Sequence, residues 1–454
     1  MRLSVRAIPR ALLAAMTLAP LAWAQSGLSD GLDRLFAPQD RSKLPGAAVV
    51  VLRDGKVVHS RAYGLARLDT GVPNTTRTKF RLASVSKSFT ALMVLKLVEQ
   101  GRLRLEDTLE TYVPGVNGGD KITVAHLLSH TAGMPDFMGF EQAAKLPRDA
   151  APGERLNYSN LGYSALGRVI EKASGKSYEA YLREAILDPL GMKDSGLDRK
   201  ASALEEGRAA GYVLGKDGAY QAAEFSDTER DPAAGGLYST AEDMATWARA
   251  LLAGRIVAPA LVERAWTPVV LNDGRKGRYG LGFMLNPYRG LREAAHGGDI
   301  SGFNTWVAFY PSEGLAVVVL SNVGMRPPGP VPEASAIAHE VVNLVAGDRL
   351  GPASPPPVTV SQAVLDRYVG RYRIEAPPPV QAVMGDSLEI WRDGPRLLAR
   401  GKQGEGELLP ESETEFRASQ GPVRIEFVRD AAGGPATAVL TLAGVREFRL
   451  VRQP

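Results

Sequence analysis

The stretch from Phe80 to Gly101, FRLASVSKSFTALMVLKLVEQG, decides how the rest of the chain is read. Between Phe89 and Val98 only Thr90 and Lys96 are polar, so the segment predicts a helix buried almost all round. Gly101 supplies a C-terminal stop. Ser84 and Lys87 are three residues apart, a spacing that places two side chains on one helix face. Ser84 falls at or just before the first turn, where unpaired backbone N–H groups favour negative charge. A hydroxyl and an amine brought together at the positive end of a buried helix can make an activated nucleophile. The competing reading is a serine N-cap beside a solvated lysine, and Ser-x-x-Lys alone does not decide between them.

The surrounding chain narrows the choice. Its 454 residues leave room for two or three domains. Residues 1–24 read as a signal peptide. Arg2, Arg6 and Arg10 form the basic start, Ala11 to Leu21 the apolar core, and Ala22-Trp23-Ala24 the cleavage site. The apolar run is short for a membrane span. Removing those three arginines lowers the formal charge from +4 to +1, and there is no basic block, so composition gives no reason to expect nucleic acid or a membrane as partner. The absence of cysteine excludes disulfides, thiolate chemistry and cysteine-ligated metals.

The order of elements predicts an α+β fold. Ala47 to Leu52, Asp54-Gly55 and Val57 to Gly64 read as strand, turn and strand. Helices follow at Thr123 to Ser129, Leu161 to Ala173 and Ser177 to Leu187. Ser239 with Glu242 reads as a capping box before another helix. Strands return at Tyr279 to Leu285, Glu293 to Gly298, Thr305 to Tyr310 and Leu315 to Leu320, then a helix at Ala334 to Val345. The expectation is one antiparallel sheet built from both ends of a domain spanning 25–347, with a helical region inserted. A Pro-rich linker, 348–360, precedes a small antiparallel β-barrel or sandwich, 361–454, expected to fold separately.

Three further segments carry chemistry, each with a bland alternative. Tyr158-Ser159-Asn160 can be a loop whose Ser159 or Asn160 caps the next helix. His296-Gly297-Gly298 can be a glycine-rich turn with an incidental histidine. His130, in His130-Thr131-Ala132-Gly133, is read as part of a tightly packed helix terminus. Taken together and in order, Ser84-Val85-Ser86-Lys87, His130-Thr131-Ala132-Gly133, Tyr158-Ser159-Asn160, Ala234-Gly235-Gly236-Leu237-Tyr238-Ser239-Thr240 and His296-Gly297-Gly298 resemble the class C β-lactamase-related serine hydrolases. That family includes penicillin-recognising D-alanyl peptidases, D-aminopeptidases, esterases and β-lactamases. The segment beginning Leu365-Asp366-Arg367-Tyr368 is similar to the lipocalin-like β domain that follows some of these hydrolases.

The resemblance implies a serine β-lactamase/penicillin-binding-protein-like fold and a serine hydrolase; the signal peptide, cut after Ala24, implies export, periplasmic or secreted. It implies Ser84 as the nucleophile, Lys87 as its charged hydrogen-bonding partner and Tyr158 as the second proton carrier. It implies that Asn160 orients Lys87 and the substrate amide, and that the N–H groups of Ser84 and Asp299 form the oxyanion hole beside His296, Gly297 and Gly298. No metal and no cofactor is implied; the partner is a small-molecule or peptide substrate. The β-lactamases carry Lys-Thr-Gly where this chain has His296-Gly297-Gly298. An unperturbed histidine is largely neutral at pH 7.5, so a substrate carboxylate would be held less firmly at that rim. The expectation is an esterase or D-amino-acid peptidase, with a β-lactamase as the alternative and a non-catalytic binding protein as a third reading.

Overall fold

A computed structural model describes residues 27–38, 43–136, 139–199, 206–324, 330–353, 356–421, 423–429 and 435–453. The expected signal peptide therefore lies outside the described residues. The chain divides into two compact units: one of residues up to Ser86, Arg183–Ile256 and Gly290–Leu350, the other of Lys87–Leu182, Val257–Arg289 and Gly351–Pro454.

The first unit is organised by a five-stranded antiparallel sheet. Its strands are β1 (Ala47–Arg53), β2 (Lys56–Tyr63), β3 (Ala294–Ile300), β4 (Phe303–Tyr310) and β5 (Leu315–Ser321), in the order β3-β4-β5-β1-β2. As expected, the two ends of the hydrolase segment meet in one sheet: Ala47 pairs with Ser321 and Arg53 with Leu315. Ala47 to Leu52 and all of β5 are buried at every position, so both faces are covered. Helices Ala241–Leu252 and Ala334–Ala346 pack on these strands. The first of these helices is capped one residue later than the sequence suggests. Thr240 accepts from the Asp243 N–H, while Ser239 belongs to a short strand, Leu237–Ser239, that pairs with Phe80–Arg81 and Gly196–Leu197.

The second unit holds α1 (Ser86–Glu99, from Lys87 on), α2 (Val124–Leu128) and α3 (Asn160–Ser174). Burial of α1 matches its sequence: Lys87 to Leu95 is buried without interruption. Thr123 and His126 form a capping box at the start of α2. Ser159 caps α3, accepting from the Gly162 N–H, and Gly175, at φ 69°, closes it in the left-handed conformation. Tyr279 to Leu285 is not a strand but a loop with a single bridge, Tyr279 to Met284. Gly280 and Gly282 make the reason plain. A Cβ on Gly280 would lie 2.0 Å from the Ala265 carbonyl oxygen, and Gly282, at φ 83°, lies against Ala91 of α1. The segment is bent to lie on α1, where Ser88 Oγ donates to the Gly282 carbonyl at 3.0 Å.

The C-terminal strands close into an eight-stranded antiparallel barrel. They are β6 (Gly370–Glu375), β7 (Ser387–Asp393), β8 (Arg396–Gly401), β9 (Gly404–Pro410), β10 (Glu415–Ala418), β11 (Val423–Arg429), β12 (Pro435–Leu442) and β13 (Arg446–Arg452). Pairing of Tyr372 with Arg452 joins the last strand to the first. The interior is filled by side chains, among them Tyr372, Phe416, Phe427, Phe448 and Leu450; Tyr368 stacks on Phe427 with ring centroids 3.9 Å apart. The barrel also touches the helical part of its own unit. The β12–β13 turn and the start of β13 run beside the loop that precedes α3. Glu447 N donates to the Leu156 carbonyl at 2.9 Å and Tyr158 N to the Val445 carbonyl at 3.3 Å.

Candidate active site

Ser84 sits in a single 3-10 turn, Ala83–Val85, that runs straight into α1. The turn is held from three sides within its unit. The Leu82 N–H donates to the Leu237 carbonyl at 2.8 Å, the Leu82 carbonyl accepts from Thr305 Oγ1 at 2.8 Å, and Ser86 Oγ accepts from the Leu237 N–H at 3.0 Å. Ala83 is thereby held at φ 48°, a conformation that costs a non-glycine residue energy and persists only where its surroundings impose it. The Ala234 to Thr240 motif thus has a structural task, because its Leu237 grips the turn on both sides of Ser84.

The glycines after His296 have steric causes. A Cβ on Gly298 would sit 2.1 Å from the Leu82 carbonyl oxygen and 2.4 Å from Thr305 Oγ1; one on Gly297 would press into the Trp306 ring at 2.8 Å. Strand β3 therefore lies directly on the Ser84 turn, which only glycine permits. His296 shares the face of Gly298 by strand alternation. It is 1% exposed and its Nδ1 lies 2.7 Å from the Gly297 carbonyl, so it is a buried group. Asp299, one position on, is exposed and pairs with Asn304.

In the other unit, α1 carries Lys87 into the interior, where it has no solvent exposure. Its Nζ donates to Asn160 Oδ1 at 2.7 Å and lies 4.9 Å from the Tyr158 ring centre and 5.6 Å from that of Tyr163. Burial disfavours the ammonium and lowers its pKa to about 7, with Asp136 pulling the other way. Three of the sequence-predicted residues, Lys87, Tyr158 and Asn160, are thus brought together around one amine. Tyr158 is half-buried, whereas Tyr163 and Tyr279 are wholly buried and held as neutral phenols, their pKa raised by desolvation.

His130 is packed tightly, as expected, and also bonds the loop that precedes α3. At φ 56° and 2% exposed, it packs against Tyr158 with ring centroids 4.1 Å apart and the planes tilted by 33°. Its Nδ1 accepts from the Ser159 N–H at 3.1 Å, and its carbonyl from the Asn157 N–H at 2.8 Å. It shapes the loop that presents Tyr158 and Asn160. Asp136, which sequence reading missed, accepts from the Asn160 backbone N–H at 3.1 Å and from Asn160 Nδ2 at 2.9 Å. No local signal marks it: it is one acidic residue in a Pro-Asp loop.

A family model described as Beta-lactamase matches residues 32–341, more than half of the chain. The chain belongs to the Beta-lactamase family. Its relatives include penicillin-binding protein 4* of Bacillus subtilis (strain 168), 28% identical over 435 residues, covering 88% of this chain and 94% of that protein. Among solved structures, the octameric penicillin-binding protein homologue from Pyrococcus abyssi superposes with a TM-score of 0.61 at 26% identity, covering 94% of this chain and 99% of that one. SurE, solved with D-Leu, gives 0.65 at 26% identity, covering 94% of this chain and 100% of the other. As a member of this family the chain has a serine β-lactamase/penicillin-binding-protein-like fold, followed here by the closed barrel. Among the described residues no helix is long and apolar enough to cross a membrane.

Proposed function

We propose that this Beta-lactamase family member is an exported serine hydrolase that forms an acyl-enzyme on Ser84 and cleaves ester or D-amino-acid amide and peptide bonds. The observation that carries the reading is the buried Lys87, held near neutrality on Asn160 and under Tyr158, three residues along the chain from Ser84. A solvated lysine beside an N-cap, the bland alternative, would be charged and exposed. Ser84 Oγ attacks the substrate carbonyl and passes its proton to the Lys87–Tyr158 pair. The carbonyl π electrons move onto oxygen, where the Ser84 and Asp299 N–H groups are the proposed donors. Collapse expels the alcohol or amine, which takes the proton from the pair; water then repeats the sequence on the acyl-enzyme. Sequence reading gave Lys87 a standing positive charge. With a pKa of about 7 it can also accept the proton, so the pair titrates as a unit.

The N-terminal pattern supports export with cleavage after Ala24. The D-amino-acid preference is supported by likeness to SurE, a protein solved with D-Leu. Histidine in place of lysine at position 296 supports esters over cephalosporins, since no permanent cation stands at that point of β3. The test is a panel: a small acyl ester, a D-Ala-D-Ala peptide and a chromogenic cephalosporin, with fluorophosphonate labelling located by mass spectrometry. The expected result is a mass shift on Ser84 and ester or peptide turnover above cephalosporin turnover. Strong cephalosporin turnover with feeble esterase activity would replace this reading by the β-lactamase one. No label and no turnover would leave a binding protein.

A further inference from the structure

We propose that the C-terminal barrel governs the orientation and charge of Lys87 through a chain of three side chains, Arg446, Asp136 and Asn160, which makes Arg446 and Asp136 positioning residues of the site. The proposal rests on the reading that Lys87 moves a proton.

The chain starts on the barrel. Arg446 opens β13, and its guanidinium pairs with Asp136 Oδ2. The strand is fixed there by its backbone: Asn157 and Arg446 form an antiparallel bridge, flanked by the Glu447 N–H on the Leu156 carbonyl. The other carboxylate oxygen, Asp136 Oδ1, accepts one N–H from the Asn160 backbone and one from its side-chain amide. An ionised carboxylate only accepts, so the Asn160 nitrogen must face it and the amide oxygen must face the other way. That oxygen is the one Lys87 Nζ binds at 2.7 Å. A flipped amide would turn its NH2 toward the ammonium and lose both bonds. Asp136 therefore decides which end of Asn160 Lys87 meets, and Arg446 holds Asp136 in place.

The same chain carries charge. Among the described residues of this unit, the charged and titratable groups around Lys87 are Asp136 beyond Asn160, Tyr158 and Tyr163 over the amine, and His130 and Tyr279 packed behind those rings; Ser84 precedes it on its own segment. Asp136 is the charge that opposes burial at Lys87, and Arg446 offsets part of that charge. The two residues must then act on Lys87 with opposite sign. Loss of Arg446 leaves Asp136 less compensated and favours the ammonium. Loss of the Asp136 charge disfavours it.

The experiment uses the full-length protein and the pH dependence of kcat/KM for an ester without a carboxylate. In Arg446→Met the acid-limb midpoint should rise by several tenths of a pH unit, and in Asp136→Asn it should fall. The double variant should follow Asp136→Asn alone, because Arg446 acts through Asp136. Arg446→Lys should restore most of the parent profile. Glu447→Gln, on the same strand but bonded to Leu156 and not to Asp136, should leave the midpoint in place. If Arg446→Met does not fold, the Asp136→Asn shift and the Arg446→Lys rescue decide. An unmoved midpoint, shifts of equal sign, additive shifts in the double variant, or an Arg446 effect confined to the KM of carboxylate-bearing substrates would each overturn the proposal. Should the parent not label at Ser84, the hydrolase reading fails on its own. The charge relay is then read by lysine NMR titration, with the Lys87 resonance assigned by its loss in Lys87→Met and the same opposed shifts expected.

Discussion

The Ser84 turn and the Lys87 cluster are held in place by different means. The turn is held by backbone and sterics: Leu82 bonded on both sides, Ala83 forced to a positive φ, Gly298 pressed on the Leu82 carbonyl. The Lys87 cluster is held by side chains: an amide, a carboxylate, tilted aromatic rings and a guanidinium from the barrel. Backbone sterics admit few residues and leave a trace of glycines. A side-chain network admits many solutions and leaves none. The first arrangement is stiff and specific in sequence; the second is adjustable, and its charges can be tuned from a distance.

Four experiments break or sharpen this contrast. The largest effect belongs to the reacting groups. Ser84→Ala should abolish acylation by a fluorophosphonate while costing about 1 kcal/mol of stability at most, since it removes one half-buried hydroxyl. Lys87→Ala and Tyr158→Phe should each lower kcat by orders of magnitude, and the double variant little further, as expected of residues sharing a proton-transfer step. Fully additive losses would separate Tyr158 from Lys87. The next effect tests the steric half. Gly298→Ala should cost about 1–3 kcal/mol in urea unfolding, because the added methyl has nowhere to go. It should also lower kcat/KM on the order of a hundredfold by displacing the turn. An alanine variant as active as the parent would mean the turn is more compliant than its contacts imply.

The smallest effect concerns stability. Lys87 titrates at about 7 in the folded chain and near 10.4 when unfolded. Below about pH 7 both states are charged and the folded one carries the full penalty; between about 7 and 10 the unfolded state holds the extra proton, so the penalty fades as pH rises. Lys87→Met should therefore raise the thermal midpoint at neutral pH while removing activity, and the gain should shrink toward pH 10. A uniform loss of stability across that range would show that the Asn160 bond outweighs the burial.

The legibility of the chain follows the same division. The α+β sheet was readable because β1 and β5 are continuous apolar runs bounded by tight turns. Spacing on a buried helix singled out Ser84 and Lys87 but only the resemblance gave them roles, as it did for Tyr158 and Asn160, in a short motif whose Ser159 is a helix cap. Tyr279 to Leu285 misled because its apolar residues look like a strand, whereas its glycines serve close approach to α1. The barrel showed as turn-separated strands, but closed barrel and open sandwich differ by the pairing of the last strand with the first, which no local pattern marks. For His296 the motif gives chain position but not depth: the sequence reads a largely neutral histidine at the substrate rim, and the structure buries it. Asp136 and Arg446 were beyond reach: they stand 310 residues apart, and neither belongs to a local pattern.

The pairing of β1 with β5 has a consequence for how the protein is made. Ala47 to Arg53 leaves the ribosome early, but its partner, Leu315–Ser321, comes more than half a chain later. Until then an uncharged, β-prone run, Ala47 to Leu52, is paired on the β2 side alone and has one open edge, the kind of segment that associates with other chains. Ser84 waits as well, since Leu237, Gly298 and Thr305 must all be synthesised before its turn can be held. A chain stalled or cut before Thr305 would contain the serine and the lysine but not the strained turn. Ser84 is therefore translated well before the residues that hold its turn, Leu237, Gly298 and Thr305.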